Sequence, residues 1–251
     1  MKILAALIVC VAFGCSITST YAWDKAEPFE FGYIELPPFG YTNNNGEVSG
    51  YLADLSRLVF ERMELPVYYR GLPATRLYHQ ISTGHTTMTM GPQGLHQLAD
   101  TAYQSTEPAI TLTLSLYHRS DTAPVTSLEE LAGKRVVLMQ GYSYGTLGKF
   151  FEQATNSNEV IRARTHTSAI KMLLHDRADY LLSYQVPVDT VIARQGLGGL
   201  RSEVIGTIPV HFFVSHEVPE GEEIIEQWDQ HLIDLQKKDL LPPMDFYIEF
   251  N

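Results

Sequence analysis

The chain has 251 residues and a formal net charge of −11 at neutral pH. That charge argues against nucleic acid and anionic membranes as partners, and the length suits one large domain or two of medium size. The only two cysteines are Cys10 and Cys15, both near the N-terminus.

Residues 1–22 read as a secretion signal. Lys2 is its charged start, Ile3 to Gly14 its apolar run, and Thr20-Tyr21-Ala22 its expected cleavage site. The run is roughly 12 residues against the roughly 20 that span a bilayer. Lipoprotein processing at Cys15 is the alternative. Cleavage after Ala22 would remove both cysteines, and with them disulfides, thiolate catalysis and cysteine–metal sites. It would also remove Lys2, taking the charge from −11 to −12. The expected product is a soluble periplasmic monomer held together by its core alone.

Phe29 to Ile34 is the first predicted strand. Pro37-Pro38 stops it, and Asn43-Asn44-Asn45-Gly46 supplies turn residues. Leu52, Leu55, Val59 and Met63 then repeat at helical spacing. Leu65 to Tyr69 reads as a second strand. Leu72-Pro73-Ala74-Thr75-Arg76 opens a helix that carries Leu77 and Ile81 and ends at Gly84. Thr86 to Met90 is a third strand, ended by Gly91-Pro92. Strand and helix alternate, which predicts a mainly parallel sheet covered on both faces.

Ile110 to Leu116 alternates apolar and hydroxyl residues, so one face should be buried and the other polar. Ser127-Leu128-Glu129-Glu130 has a capping-box pattern. Arg135 to Met139 is a strand, and Gln140 to Gly145 turns into a helix. Thr167 to His175 is helical, Asp179 to Tyr184 a strand, and Ile208 to Ser215 the last strong strand. A terminal helix runs from about Glu222 to Lys238 on a stripe of Ile225, Trp228, Leu232 and Leu235. The strands at 110–118 and 208–215 are candidate crossovers between two lobes.

Three segments carry a family resemblance. They are Pro37 to Leu55, then Ser127-Leu128-Glu129-Glu130-Leu131-Ala132-Gly133-Lys134-Arg135-Val136-Val137 followed by Gln140-Gly141, then His175-Asp176-Arg177-Ala178-Asp179-Tyr180. In this order and spacing they resemble the bacterial extracellular solute-binding proteins of family 3, the polar amino-acid-binding type. The resemblance implies an α/β fold of the bilobal periplasmic-binding-protein-like type II, two αβ lobes joined by two hinge strands around a ligand cleft. It implies a first lobe of residues 23–116 with 212–251, and a second of 117–211.

Such proteins typically grip an amino acid's carboxylate with an arginine in the loop after the third strand, and its amine with an aspartate in the second lobe. This chain departs at both. The loop reads Gly91-Pro92-Gln93-Gly94-Leu95-His96-Gln97-Leu98, with Gln97 in the arginine's place, and Tyr184 stands where the aspartate would be. A charge-assisted clamp outweighs neutral hydrogen bonds, so standard amino acids are expected to bind poorly.

Tyrosines replace the clamp. Tyr33, Tyr41, Tyr51, Tyr142, Tyr144 and Tyr184 all fall at strand ends or turns facing the expected cleft, and each offers a flat apolar face with a hydroxyl. For any single one, a core or rim position is as natural as a contact. Met90 and Gly91 stand at the end of the third strand and join the expected set. Arg76 is the best cationic candidate, against an ordinary surface ion pair. Gly141, Tyr142 and Ser143 could present backbone N–H groups at a helix start.

The histidines, His79, His85, His211 and His216 among them, show no zinc spacing. Neither a Gly-x-Ser-x-Gly elbow nor a phosphate-binding lysine loop is present. Glu35 and Asp54 could form an acid–base pair, although solvated acids account for them equally well.

The expected function is capture of a small polar or aromatic molecule by lobe closure, without cofactor or metal, and delivery to an ABC transporter permease. Two alternatives stand beside it: a lyase on the same scaffold, resembling cyclohexadienyl dehydratase, and a ligand-presenting subunit of a membrane sensor.

Overall fold

The computed structural model describes residues 28–152 and 159–244. The expected signal segment lies outside them. No helix among the described residues is long and apolar enough to cross a membrane.

The chain folds in order through β1 (Phe29–Tyr33), β2 (Tyr41–Thr42), β3 (Val48–Ser49), α1 (Tyr51–Arg62), β4 (Val67–Gly71), α2 (Ala74–Ser82), β5 (Met88–Pro92), β6 (Ala102–Gln104) and β7 (Ile110–Arg119). Then come β8 (Arg135–Met139), α3 (Gly148–Glu152), β9 (Glu159–Ala163), α4 (His166–Leu174), β10 (Tyr180–Tyr184), α5 (Gln185–Gln195), β11 (Leu200–Ser215) and α6 (Gly221–Lys237).

One continuous sheet runs β4-β1-β5-β11-β7-β10-β8-β9, with β6 also on β11, while β2 and β3 form a small hairpin. Two parallel units, β4-β1-β5 and β10-β8-β9, are joined through β7 and β11. These two strands pair antiparallel from Ile110↔Val210 to Arg119↔Leu200, with a register shift between Val204 and Gly206. The C-terminal end of β11 pairs with β5, and the C-terminal half of β7 pairs with β10. This is the bilobal periplasmic-binding-protein-like architecture expected from the sequence.

Several elements differ from expectation. β11 starts eight residues before the predicted Ile208 because its N-terminal half continues along β7. β5 extends through Gly91 and Pro92, where Val210 and His211 hold it in register. The alternation of β7 holds only at its start. From Leu114 to His118 every residue is buried, because that half lies between β10 and β11. The pattern at Ser127–Glu130 forms no side-chain cap. Glu130 instead accepts from the backbone and hydroxyl of Thr126, and Glu129–Leu131 is a 3-10 turn. Helix α5 was not foreseen. Its weak amphipathic pattern and Pro187 in its first turn hide it, and proline is tolerated there.

The core follows the predicted stripe of α6. Trp228 is fully buried and stacks on Phe212 at 4.2 Å. Phe60 of α1 meets both rings, at 5.7 Å from Phe212 and 5.4 Å from Trp228. The start of α1 requires glycine at its N-cap. Gly50 has φ 110°, and a Cβ there would lie 2.6 Å from the carbonyl oxygens of Pro38 and Phe39.

Candidate functional site

The second parallel unit meets the first through the loop after β8. Gly141 (φ 86°) lies where an added Cβ would be 3.5 Å from Ala74 Cβ, at the start of α2. Gly145 (φ 56°) lies where one would be 2.8 Å from the Gln93 carbonyl oxygen, after β5. Positive φ and close backbone approach both favour glycine here. The two units touch across this seam.

A cavity of about 60 Å³ lies in it. Tyr33, Tyr78, Met90, Gly91 and Pro92 line it from the first unit, and Tyr142, Ser143 and Tyr184 from the second. Phe31, Leu36, Leu52, Leu112 and Val210 complete an apolar floor, and no acidic or basic side chain among the described residues lines it. At about 30 Å³ per water it holds roughly two, and it is less than half of the about 150 Å³ of an apolar cavity that takes up benzene, so a ring would lie partly in the flanking cavities.

Two larger cavities flank the seam. A mouth of about 920 Å³ opens between Tyr33, Glu35, Thr42 and Arg70 on one side and Tyr142, Arg164, Thr165 and His166 on the other. A side cavity of about 450 Å³ includes Thr75, Tyr78, His79, Gln97, Tyr144 and Arg162. Tyr142 walls all three cavities.

Tyr142 and Tyr184 stack at 5.4 Å, and Tyr144 packs against them at 6.1 Å and 5.9 Å. Tyr144 is committed to the fold. Its backbone is left-handed at φ 54°, and its hydroxyl accepts from Met139 N–H at 2.7 Å and donates to the Leu182 carbonyl at 3.1 Å. The hydroxyls of Tyr78, Tyr142 and Tyr184 have no hydrogen-bond partner among the described residues. Burial raises the pKa of all three, that of Tyr78 to about 12, and for Tyr184 the nearby hydroxyls of Tyr144, Tyr78 and Tyr142 add to the rise. All three therefore stay neutral phenols able to donate a hydrogen bond.

His166 starts α4 and packs on Tyr142 at 5.9 Å. Burial pulls its pKa down to about 4, so its ring is neutral at pH 7, and its Nε2 is buried without a partner among the described residues.

Of the residues singled out in the sequence, Tyr33, Met90, Gly91, Tyr142, Ser143 and Tyr184 come together around the seam cavity. Gly141 and Gln97 line the flanking cavities. Tyr41, Tyr51 and Arg76 line none of the three. Tyr51 is buried in the core beneath α1, and Tyr41 belongs to the hairpin. Arg76 is exposed, because Ala74, Thr75, Tyr78, His79 and Ser82 form the cavity face of α2 while Leu77 and Ile81 enter the core.

Glu35 accepts from the backbone and hydroxyl of Thr42, and Asp54 pairs with Arg57, so each acid has a partner of its own. No group of three metal-capable side chains occurs among the described residues. Tyr78 and His166 were missed. The face that Ala74, Tyr78 and Ser82 share on α2 was the available signal for Tyr78, whereas nothing in the sequence marked His166.

No protein-family model matches the sequence, and no curated protein does. The fold is similar to solved structures. A histidine kinase sensor domain with similarity to periplasmic binding proteins aligns at TM-score 0.75 and 18% identity, covering 89% of this chain and 96% of that one. The GluR0 ligand-binding core in complex with L-glutamate aligns at 0.70 and 15%, covering 90% and 98%. A mutant of ArgBP from T. maritima aligns at 0.68 and 19%, covering 88% and 93%.

Proposed function

We propose that this chain is a bilobal solute-binding protein that holds a small molecule between its two units, with one compact end of it in the seam cavity. The observation that carries this reading is the convergence of three neutral phenol hydroxyls without a partner among the described residues, one from the first unit and two from the second, on a cavity whose described lining is uncharged. These hydroxyls face the cavity rather than a protein partner, so each is free to bond a ligand acceptor in place of water. Contacts from both units bias the chain towards closure when ligand is bound.

In this reading the lobes divide where β7 and β11 change neighbours, at Thr111–Thr113 opposite Thr207–Pro209, rather than at 116/117 and 211/212. The role is binding without catalysis. Its neighbours by fold include a sensor domain as well as binding proteins, so the loaded chain would engage either an ABC permease or a membrane sensor. Export after Ala22 belongs to the same reading. N-terminal sequencing of secreted material should start at Trp23, and an intact Met1 would refute export.

The test of the site is calorimetry with small aromatic probes on wild type and Tyr142→Ala. Tyr142 is half-buried, so the fold should tolerate its loss. Affinity should fall roughly thirtyfold, about 2 kcal/mol, as for a central aromatic anchor. Equal affinity in the variant would exclude the seam cavity.

A further inference from the structure

The charge around the seam is distributed against the charge of the chain. The whole sequence carries −11. Among the described residues the seam cavity has no charged lining, and the side cavity has Arg162 and no acid. The mouth shares Tyr33, Ile34 and Tyr142 with the seam cavity's lining, and its charged residues among the described ones are Arg70, Arg164 and Glu35.

These three differ in what they have left to offer. Arg70 is bound through Nη2 to the buried carboxylate of Glu30 at 2.6 Å and to Gln80 at 2.8 Å, while its buried Nε–H has no partner among the described residues. Glu35 already receives the Thr42 hydroxyl at 2.6 Å and its N–H at 3.1 Å. Arg164 is exposed on the mouth wall and makes no hydrogen bond or ion pair among the described residues. Beside it in the wall stand Thr165, Thr167 and His166, whose Nε2 is also unpartnered. Thr165 spends its hydroxyl on the α4 cap, accepting from Ser168 N–H at 3.1 Å. The unspent cationic and imidazole groups of the described mouth residues are therefore the Arg70 Nε–H on the first unit and, on the second, the whole Arg164 guanidinium and the His166 Nε2, which donates in the tautomer that carries its proton there.

A guanidinium presents a fork of donors suited to a planar anion, and partial enclosure strengthens its field over that of an open surface. From this arrangement we infer that the ligand is an organic anion. Its uncharged body packs against the seam tyrosines, and its carboxylate-type group extends past Tyr142 to Arg164 and the His166 imidazole. This rests on the seam-cavity reading and adds a ligand class to it. The neutral donors of Thr42 leave Glu35 its charge, but it is the one acid in the described lining of the three cavities, against Arg70, Arg162 and Arg164.

The test uses matched probes: benzoate, phenylacetate and 4-hydroxyphenylacetate, each with its primary amide, and tyramine as the cation. Calorimetry is run on wild type, Arg164→Gln, Tyr184→Phe and Arg177→Gln. Arg177 is an exposed arginine on the turn before β10, so its variant makes the same charge change away from the cavities. Circular dichroism confirms that each variant folds.

At least one acid should bind wild type about tenfold or more tightly than its amide, the difference between a charge-assisted and a neutral contact. Arg164→Gln should close that gap and Arg177→Gln should keep it. Amides binding as tightly as acids, tyramine binding best, or a gap that survives Arg164→Gln would overturn the anion inference while leaving the seam cavity standing. No probe binding wild type, or binding that Tyr184→Phe leaves unchanged, would overturn the seam reading and this inference together.

Discussion

Phe31, Phe60, Phe212 and Trp228 form one aromatic group beneath the first lobe, and Tyr142, Tyr144 and Tyr184 form another at the seam. Their ring spacings are alike, 4.2–6.4 Å in the first and 5.4–6.1 Å in the second. What separates them is the polar ends. Three of the core rings are phenylalanines with nothing to satisfy, and the fourth, Trp228, keeps a buried Nε1–H without a partner among the described residues but lines none of the three cavities. At the seam, Tyr144 ties its hydroxyl to two backbone groups, whereas Tyr142 and Tyr184 leave theirs unpaired beside a cavity. Where buried rings keep hydroxyls unspent, the missing partner is expected from outside the chain.

The core group should dominate stability. Trp228→Ala empties a fully buried site and should cost about 3–5 kcal/mol in urea denaturation, without any ligand present. A cost below about 1 kcal/mol would mean that the first lobe is not held by this cluster.

A second expected effect comes from His166, which joins the seam group through Tyr142. Its folded pKa of about 4 lies below the ordinary 6.5, so the unfolded chain takes up a proton between those values and the folded chain does not. The stability associated with neutral His166 is complete above pH 6.5 and is lost as pH falls towards 4, by at most about 3 kcal/mol. Denaturation of wild type and His166→Gln across pH 4–7 measures it. The variant should show a shallower acid loss, and identical slopes would mean that the imidazole protonates freely in the folded chain.

The comparison is sharpest within the tyrosines. Tyr144→Phe strands the Met139 N–H and the Leu182 carbonyl, and should cost about 1–3 kcal/mol of stability. Tyr184→Phe removes a hydroxyl that no described residue uses, and should leave stability unchanged or slightly raised while weakening ligand. Thermal melts and calorimetry on the pair separate the two roles. Equal stability losses would erase the distinction.

The sequence made most of this fold readable. Alternating strands and helices, the α6 stripe and the long hydroxyl-alternating strand β7 all announced themselves through periodicity. The missed parts have physical causes. α5 has little amphipathic contrast, and the first half of β11 is partly exposed, so its pattern lacks a buried face. At the site, tyrosines at strand ends and in the loop after β8 could be found because turn chemistry marks where those strands stop. Tyr78 lies inside a helix whose core stripe drew attention to Leu77 and Ile81. Arg76 looked useful by type, but helical geometry turns it away from the cavity face. Arg164 and His166 sit at the junction of β9 and α4, with no motif around them, and became visible only when the second lobe was set against the first.

Closure over the tyrosine cavity is the central claim, and small-angle X-ray scattering tests it most directly. The chain is measured alone and saturated with whichever probe acid binds most tightly, in wild type and in Tyr142→Ala. Wild type should show a smaller radius of gyration when saturated, and Tyr142→Ala should need a much higher probe concentration to reach the same value. Saturation of wild type with no change in radius would contradict a site assembled by two closing lobes.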